Sequence, residues 1–265
     1  MPRSIKELLV NSPIASLETR IILKHILGIS SAKLISHDGE LINDDDLMII
    51  NNAISQYQQG VPVAYILGYK EFYSRDFMVN QATLIPRSET EHLVDIILSK
   101  IATKSKILDM GTGSGCIAIT LKLENNDYQI DAVDISEDAI AVALSNATKL
   151  CANINIWQSD WFSTVEQKYD IIVSNPPYIE KNDQHLAALK YEPLNALTDG
   201  LDGLSHYRQI IEEAPQYLID GGWIFFEHGY NQGTDIRLLL SQYGYRNIET
   251  IRDYSQNERI TYAQK

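Results

Sequence analysis

The residues best suited to do chemistry in this chain are Asn175-Pro176-Pro177-Tyr178. They follow Tyr169-Asp170-Ile171-Ile172-Val173-Ser174, a run that reads as a buried parallel strand. Neither proline can continue a strand or a helix, and a residue before proline is held out of the helical region. The expected result is a stiff, extended loop at the carboxyl end of a strand, where open α/β sheets bind ligands. Such a loop offers the Asn175 side-chain oxygen, the Pro176 carbonyl and the aromatic face of Tyr178, with Pro177 adding stiffness. This set suits a planar NH2 group: two acceptors take its hydrogens while a ring stacks on its plane. An amide or aromatic amine is a poor nucleophile because its lone pair is delocalised. Acceptors fixed on both N–H bonds favour pyramidalisation and bind more strongly as positive charge develops. No dedicated general base is evident.

A second constellation lies upstream. Leu108-Asp109-Met110 reads as a strand end, followed by Gly111-Thr112-Gly113-Ser114-Gly115 at the start of a helix. Glycines there allow a ligand to approach the backbone closely. The spacing is neither that of a dinucleotide fold nor that of a triphosphate-binding loop, which needs a lysine. The next strand ends in Asp134, where a carboxylate accepts ribose hydroxyls. The strand after it ends in Asp160-Trp161, an acid and an aromatic suited to an adenine amino group and ring face. Together these residues describe a pocket for an adenosine without a polyphosphate tail, and S-adenosylmethionine fits it. With such an activated sulfonium the protein contributes mainly in-line positioning. Cys116, in the first turn of that helix, is read as a small packing residue.

The elements that must position these groups can be read from periodicity. Residues 1 to about 68 read as short helices. One is capped at Asn11-Ser12-Pro13 and stopped by Gly28; another opens at Asn43-Asp44-Asp45-Asp46 and ends at Gly60. From Tyr69 to Val79 alternation predicts a β-hairpin turning at Ser74-Arg75. An extended segment, Leu84 to Glu91, leads into an amphipathic helix. Strands are expected at 106–110, 129–134, 154–158, 170–174, 223–227, 247–253 and 259–263, with helices near 117–123, 136–150, 205–218 and 234–243. This alternation is a doubly wound, seven-stranded α/β sheet of Rossmann-like type, its last two strands forming an antiparallel hairpin. The net charge of −13 over 265 residues is divided as −2 over residues 1–85 and −11 over the rest. Such acidity argues against an enzyme that lives on phosphate contacts. No apolar run is long enough to cross a membrane, and the start at Met1-Pro2-Arg3-Ser4 has no signal-peptide character. The two cysteines, Cys116 and Cys151, suit a reducing compartment. The six histidines show no metal-ligand spacing, so no metal is expected.

At this point the chain resembles a known family. The matching stretches are Tyr65 to Gly68, Glu71-Phe72-Tyr73, Leu84 to Arg87 with Glu89-Thr90-Glu91, and Leu108 to Gly115. They continue with Gln158 to Phe162, Ser174 to Tyr178, Tyr191-Glu192-Pro193 with Ala196-Leu197, Phe226 to Gly229, and Arg252-Asp253-Tyr254 with Asn257-Glu258-Arg259. They look like the peptide chain release factor glutamine methyltransferases, the HemK/PrmC family. The resemblance implies methyl transfer from S-adenosylmethionine to the side-chain amide nitrogen of the glutamine in the Gly-Gly-Gln motif of release factors. It implies a helical substrate-recognition domain at 1–68, a β-hairpin linker at 69–83 and a methyltransferase domain at 84–265. Gly111, Thr112, Gly113, Ser114, Gly115, Asp134, Asp160, Trp161 and Asn175 would hold the cofactor, and Asn175 through Tyr178 the glutamine. Ser88 stands where the family commonly has proline, which loosens an extended segment. Arg87 and Glu91 are read as a structural ion pair, and Glu227 and His228 as core-supporting groups.

Three other readings are weighed: a glutamine methyltransferase of a ribosomal protein, an adenine-N6 nucleic-acid methyltransferase, and a cofactor-binding scaffold without turnover. The short N-terminal region favours the release-factor enzyme over the first. Acidity and the lack of a target-recognition insertion count against the second. The intact acceptor loop counts against the third. The expected protein is a cytoplasmic monomer whose partners are release factors, with no direct nucleic-acid or membrane binding.

Overall fold

The computed structural model describes residues 3–101 and 104–265 and resolves into two compact units, Met1–Tyr69 and Lys70–Lys265. Met1 and Pro2, on which the reading of the chain start partly rests, lie outside the described residues.

The first unit is helical: α1 (Ile5–Asn11), α2 (Ser16–Leu27), α3 (Ser31–Ser36), α4 (Asp44–Gln58) and α5 (Val63–Leu67). Ile5, Leu8, Ile22, Leu23, Leu34, Ile50 and Ile54 form its buried core. α4 starts as its sequence dictates, with the Asn43 side chain accepting from the Asp46 amide at 2.8 Å. α2 does not. Ala15 is its N-cap, and the Ser12 hydroxyl accepts from Thr19 Oγ1 at 2.7 Å, so the Ser-Pro pair precedes the helix rather than opening it.

The second unit begins with the hairpin of β1 (Tyr69–Phe72) and β2 (Arg75–Met78). Its turn is Tyr73-Ser74, one residue earlier than the sequence suggested. Both residues have positive φ (52° and 59°), the backbone of a type I′ turn. The turn is fastened by Glu91, whose Oε1 accepts from the Tyr73 amide at 2.8 Å. Phe72 and Phe77, buried and packed edge to face, join the same core as Leu93 and Ile97. α6 (Ser88–Lys100) starts at Ser88 itself. The segment expected to stay extended there is the first helical turn, a position that favours proline and tolerates serine.

The remaining elements are β3 (Lys106–Met110), α7 (Cys116–Glu124), β4 (Gln129–Asp134), α8 (Glu137–Lys149), β5 (Asn155–Gln158), β6 (Tyr169–Ser174), α9 (Ser205–Glu213), β7 (Leu218–Glu227), α10 (Gly233–Gln242), β8 (Arg246–Arg252) and β9 (Glu258–Gln264). The seven strands are ordered β5-β4-β3-β6-β7-β9-β8. The first five are parallel, and β9 runs antiparallel between β7 and β8, the hairpin expected from the missing crossover helix. β3, β6 and the inner half of β7 are buried on both faces, which is why they read as continuous apolar runs. β7 starts at Leu218, five residues earlier than expected, and passes through Gly221-Gly222. Between β6 and α9 the chain makes two 3-10 turns, Gln184–Leu189 and Leu194–Ala196, that sequence periodicity did not foretell. Chain order reverses between β3 and β6, so the crevice at their carboxyl ends is where a ligand is expected.

Candidate functional site

A cleft of about 260 Å³ opens at those strand ends. Its walls come from the glycine loop after β3, from Asp134 to Ser136 after β4, from Ser159 to Trp161 after β5, and from Asn175 and Pro177 after β6. Of the residues expected to bind the cofactor, Gly111, Thr112, Gly113, Ser114, Asp134, Asp160, Trp161 and Asn175 line this cleft, and Gly115 does not. Gly115 is instead the N-cap of α7 in a left-handed conformation, where an added Cβ would sit 2.8 Å from Ile119 Cδ1. Glycine is favoured there by the left-handed backbone (φ 80°) and by the close Ile119 and Ala143 side chains. Pro176 and Tyr178 also lie off the cleft wall.

The loop is held from several sides. The amides of Gly111 and Thr112 both donate to the Val133 carbonyl, at 2.9 and 3.0 Å. Asp134 accepts from the amides of Gly113 and Ser136, each at 2.9 Å. Its carboxyl is raised above the ordinary value by burial, with those amides opposing. Asp109 is wholly buried; Oδ2 accepts from Thr112 Oγ1 at 2.7 Å, and burial pushes the carboxyl up to about 7. Asn146 of α8 bonds both the amide and the carbonyl of Met78 and also the Ser114 carbonyl, tying hairpin to loop. Burial pushes Cys116 up to about 12, so it remains a protonated packing group. Trp161 has φ of 46°, its ring stands over Gly111, and it meets the His206 ring at a centroid distance of 5.0 Å. Burial holds His206 below its usual value, with Asp199 and Asp160 opposing.

At the end of β6, Ser174 Oγ donates to the Met110 carbonyl at 2.7 Å, fixing the strand next to β3. The Asn175 side-chain oxygen is buried and has no hydrogen-bond partner among the described residues. Glu227, at the end of the neighbouring β7, is buried, and its Oε2 likewise has no hydrogen-bond partner among the described residues. Burial pushes Glu227 up to about 7, against the pull of Thr90, Arg259 and Asn175. The Tyr178 carbonyl accepts from Gln232 Nε2 at 3.0 Å, and burial pushes its phenol up to about 12. His228 is neutral: burial lowers it to about 4, and its ring nitrogens meet the Gly229 carbonyl and Thr261 Oγ1, each at 2.9 Å.

Arg87 does not pair with Glu91. Its guanidinium lies 2.6 Å from Oε1 of Glu192, a buried residue whose other oxygen accepts from the Ile85 amide at 3.0 Å. Glu91 is engaged by the hairpin turn instead. The sequence reading missed Asn146, Glu192, Asp199 and His206. Glu192 stood in a motif already noticed; His206 carried no signal that separates it from any helix histidine. No group of three or more metal-ligating side chains occurs among the described residues.

Comparison with known proteins follows the two units. Residues 3–68 match the PrmC N-terminal domain, and residues 88–191 match the Methyltransferase small domain. A methyltransferase from Pyrococcus furiosus shares the fold, with a TM-score of 0.59 at 18% identity over 79% of this chain and 98% of that one. The release factor glutamine methyltransferase of Neisseria gonorrhoeae is 40% identical over 255 residues, 94% of this chain and 93% of its own. That of Escherichia coli is 39% identical over 249 residues, 92% and 90% of the two chains. With such identity sustained across nearly the whole of both sequences, this chain belongs to the release factor glutamine methyltransferase family.

Proposed function

We propose that this enzyme methylates the side-chain amide nitrogen of the glutamine in the Gly-Gly-Gln motif of peptide chain release factors, using S-adenosylmethionine, with Asn175 as the central acceptor. One observation carries the placement of the chemistry. Asn175 lines a cleft whose other walls suit an adenosine, and its side-chain oxygen is buried there without a partner among the described residues. The residues present fit the cofactor. Gly111 and Gly113 have positive φ, and no protein atom lies within 4 Å of where a Gly113 Cβ would stand, so the backbone is open to a ligand. Asp134 keeps free lone pairs beyond its two amide bonds, and Asp160 and Trp161 border the same space. Bound there, S-adenosylmethionine supplies an electrophilic methyl group on a sulfonium.

The chain's own groups do the rest. Asn175 Oδ1 accepts one N–H of the substrate amide, and the Pro176 carbonyl accepts the other. Both contacts strengthen as the nitrogen becomes positive, which is when they aid catalysis. Pro176 and Pro177 hold this geometry without a helical alternative, and Tyr178 borders the amide plane. The helical unit, residues 1–68, grips the release factor. Val10, Leu17, Ile35, Leu41 and Met48 leave apolar surface exposed on it. The enzyme acts as a monomer in the cytoplasm and touches no nucleic acid directly. The charge of −13 supports that, and no helix among the described residues is long and apolar enough to cross a membrane.

The test is incubation with labelled cofactor and purified release factor carrying Gly-Gly-Gln or Gly-Gly-Ala. Label is expected only on the first. Label persisting on the altered factor would place the chemistry at another target.

A further inference from the structure

One ionisable ring on the cleft wall has no part in the chemistry at Asn175. His206 stands in the first turn of α9, lines the cleft, and meets the Trp161 indole at a centroid distance of 5.0 Å with the planes tilted by 53°. Trp161 takes a left-handed φ of 46°, a conformation that persists only where surrounding bonds over-determine it; its carbonyl accepts from Ser159 Oγ at 2.7 Å. The indole is thereby set over Gly111, with the imidazole beside it. The His206 ring nitrogens make no hydrogen bond among the described residues. Asp199, on the same wall, has no acceptor site left for them. Its oxygens take the amides of Leu201, Gly203 and Ser205 and the Ser205 hydroxyl, at 2.7 to 3.0 Å, which fills the four lone-pair sites of a carboxylate. The first turn of a helix also disfavours a cation. A neutral, unbonded ring set against a second aromatic ring is a surface for a planar group.

We propose that His206 is a cofactor-contact residue: its neutral imidazole joins Trp161 as the aromatic wall for the adenine end of S-adenosylmethionine, and that contact keeps a proton off the ring. The inference rests on the placing of the adenosine in this cleft, and not on the identity of the methyl acceptor. Strand order assigns the end of the cofactor. Asp134, the acid suited to ribose hydroxyls, ends β4, and Asp160 and Trp161 follow β5, the next strand outward. The loop after β6, proposed to hold the methyl acceptor, stands on the far side of β3. The other charged side chains lining the cleft are Asp134, Asp160, Asp199 and Arg87, the last paired with Glu192. On α9 itself Arg208 is paired with Asp202. Burial already holds the His206 ring below its usual value, with Asp199 and Asp160 opposing. An adenine laid against the ring removes more water from it and disfavours the imidazolium further. Bound base and bound proton therefore oppose each other, each weakening the other by the same factor.

The test uses S-adenosylhomocysteine and adenosine as probes on the full chain, since neither carries a sulfonium charge that acts on the ring from a distance. By calorimetry near neutral pH, His206→Ala should bind S-adenosylhomocysteine about 3- to 10-fold more weakly, the scale of one aromatic contact. Adenosine should lose the same factor, because the contact is with the base. His206→Phe, which keeps a ring, should restore most of the affinity. The second readout is the imidazole resonances of His206, identified by their absence in His206→Phe. In wild type they should protonate at lower pH once S-adenosylhomocysteine saturates the protein. Wild-type affinity should fall as acid protonates the free ring, and His206→Phe should lack that part of the fall. Resonances that titrate alike with and without S-adenosylhomocysteine would show that the ring does not meet the cofactor, and they decide this even where His206→Ala fails to fold. Asp134→Asn separates the proposal from the reading beneath it and should weaken both probes about tenfold or more. If it binds them as wild type does, the adenosine is not in this cleft. If it weakens them and a folded His206→Ala does not, only the role of His206 is overturned.

Discussion

Asn175 lines the cleft at the end of β6, and its side-chain oxygen is buried without a partner among the described residues. Replacing Asn175 with Ala removes the proposed acceptor, whose contact with the substrate amide would strengthen as charge develops. The expected loss is about 100- to 1000-fold in kcat. Cofactor affinity, measured by calorimetry, should change little, because the glycine loop, Asp134 and Trp161 remain. Glu227 also leaves a mark on stability. In the unfolded chain its carboxyl titrates near 4.5, and in the fold burial raises it to about 7. Its contribution is therefore complete below 4.5 and is lost as pH rises through about 7. Melting curves should show Glu227→Gln gaining on wild type across that window, by at most roughly 3 kcal/mol at the alkaline end. His228 slopes the other way, since its contribution is present above 6.5 and lost as pH falls through about 4. Both proteins share His228, so it cancels in the difference. A constant gap between the two curves would show that Glu227 is not held neutral by the fold. Asn175 and the glycine loop were legible in the sequence because prolines and glycines restrict the backbone wherever they stand. Glu227 was not. A lone acid at a strand end reads the same whether it is solvated or wholly buried, as Glu227 is.

Apart from the start of β7, the strands were legible to within one residue, most plainly β3 and β6, which are apolar on both faces and need no context to be recognised. Helix starts were less so: Ser12-Pro13 has the composition of a cap but stands ahead of α2, and Ser88 lacks the proline that would mark its turn. The stretch from 179 to 204 has no helical or strand period, and its order comes from tertiary bonds. Glu192 clamps it by holding the Ile85 amide and Arg87 together. Glu192→Ala strands that buried amide and releases the guanidinium. It should cost roughly 2–3 kcal/mol in urea denaturation. Hydrogen exchange should then quicken together in residues 84–87 and 191–199, and cofactor affinity should weaken because both segments line the cleft. Exchange that quickens in only one segment would mean that Glu192 does not couple them. Gly203 supports the acceptor loop from its far side. It has φ of 75°, and an added Cβ would overlap the Tyr178 carbonyl and sit 2.8 Å from Gln232 Nε2, the donor that holds that carbonyl. Gly203→Ala should lower stability by roughly 1–3 kcal/mol and lower kcat with it, because the backbone shift reaches Tyr178. A variant as active as wild type would show that the loop tolerates the shift.

Each of the two units has a core of its own. The helical unit buries Ile5, Ile22, Leu23 and Ile50 among its own helices. The second unit carries two larger clusters, one on each face of the sheet, and residues 82 to 206 supply the entire cleft wall. Under the proposed function, cofactor binding and amide chemistry belong to the second unit, and recognition of a large protein substrate is the task proposed for the first. A chain lacking residues 1–68 retains both of those clusters and every cleft residue. It should bind cofactor as the full chain does and show the same melting shift on saturation, about 2.7 kcal/mol at a hundredfold excess over Kd. It should also methylate a short Gly-Gly-Gln peptide at the full-length rate. With intact release factor, kcat/KM should fall about 100-fold, the loss expected when roughly 3 kcal/mol of contact remote from the reacting amide is removed. The contrast between peptide and protein separates lost recognition from damaged catalysis, because damage would lower both alike. Equal kcat/KM for intact release factor in the two chains would remove the helical unit from recognition and move that task to the surface around Tyr178.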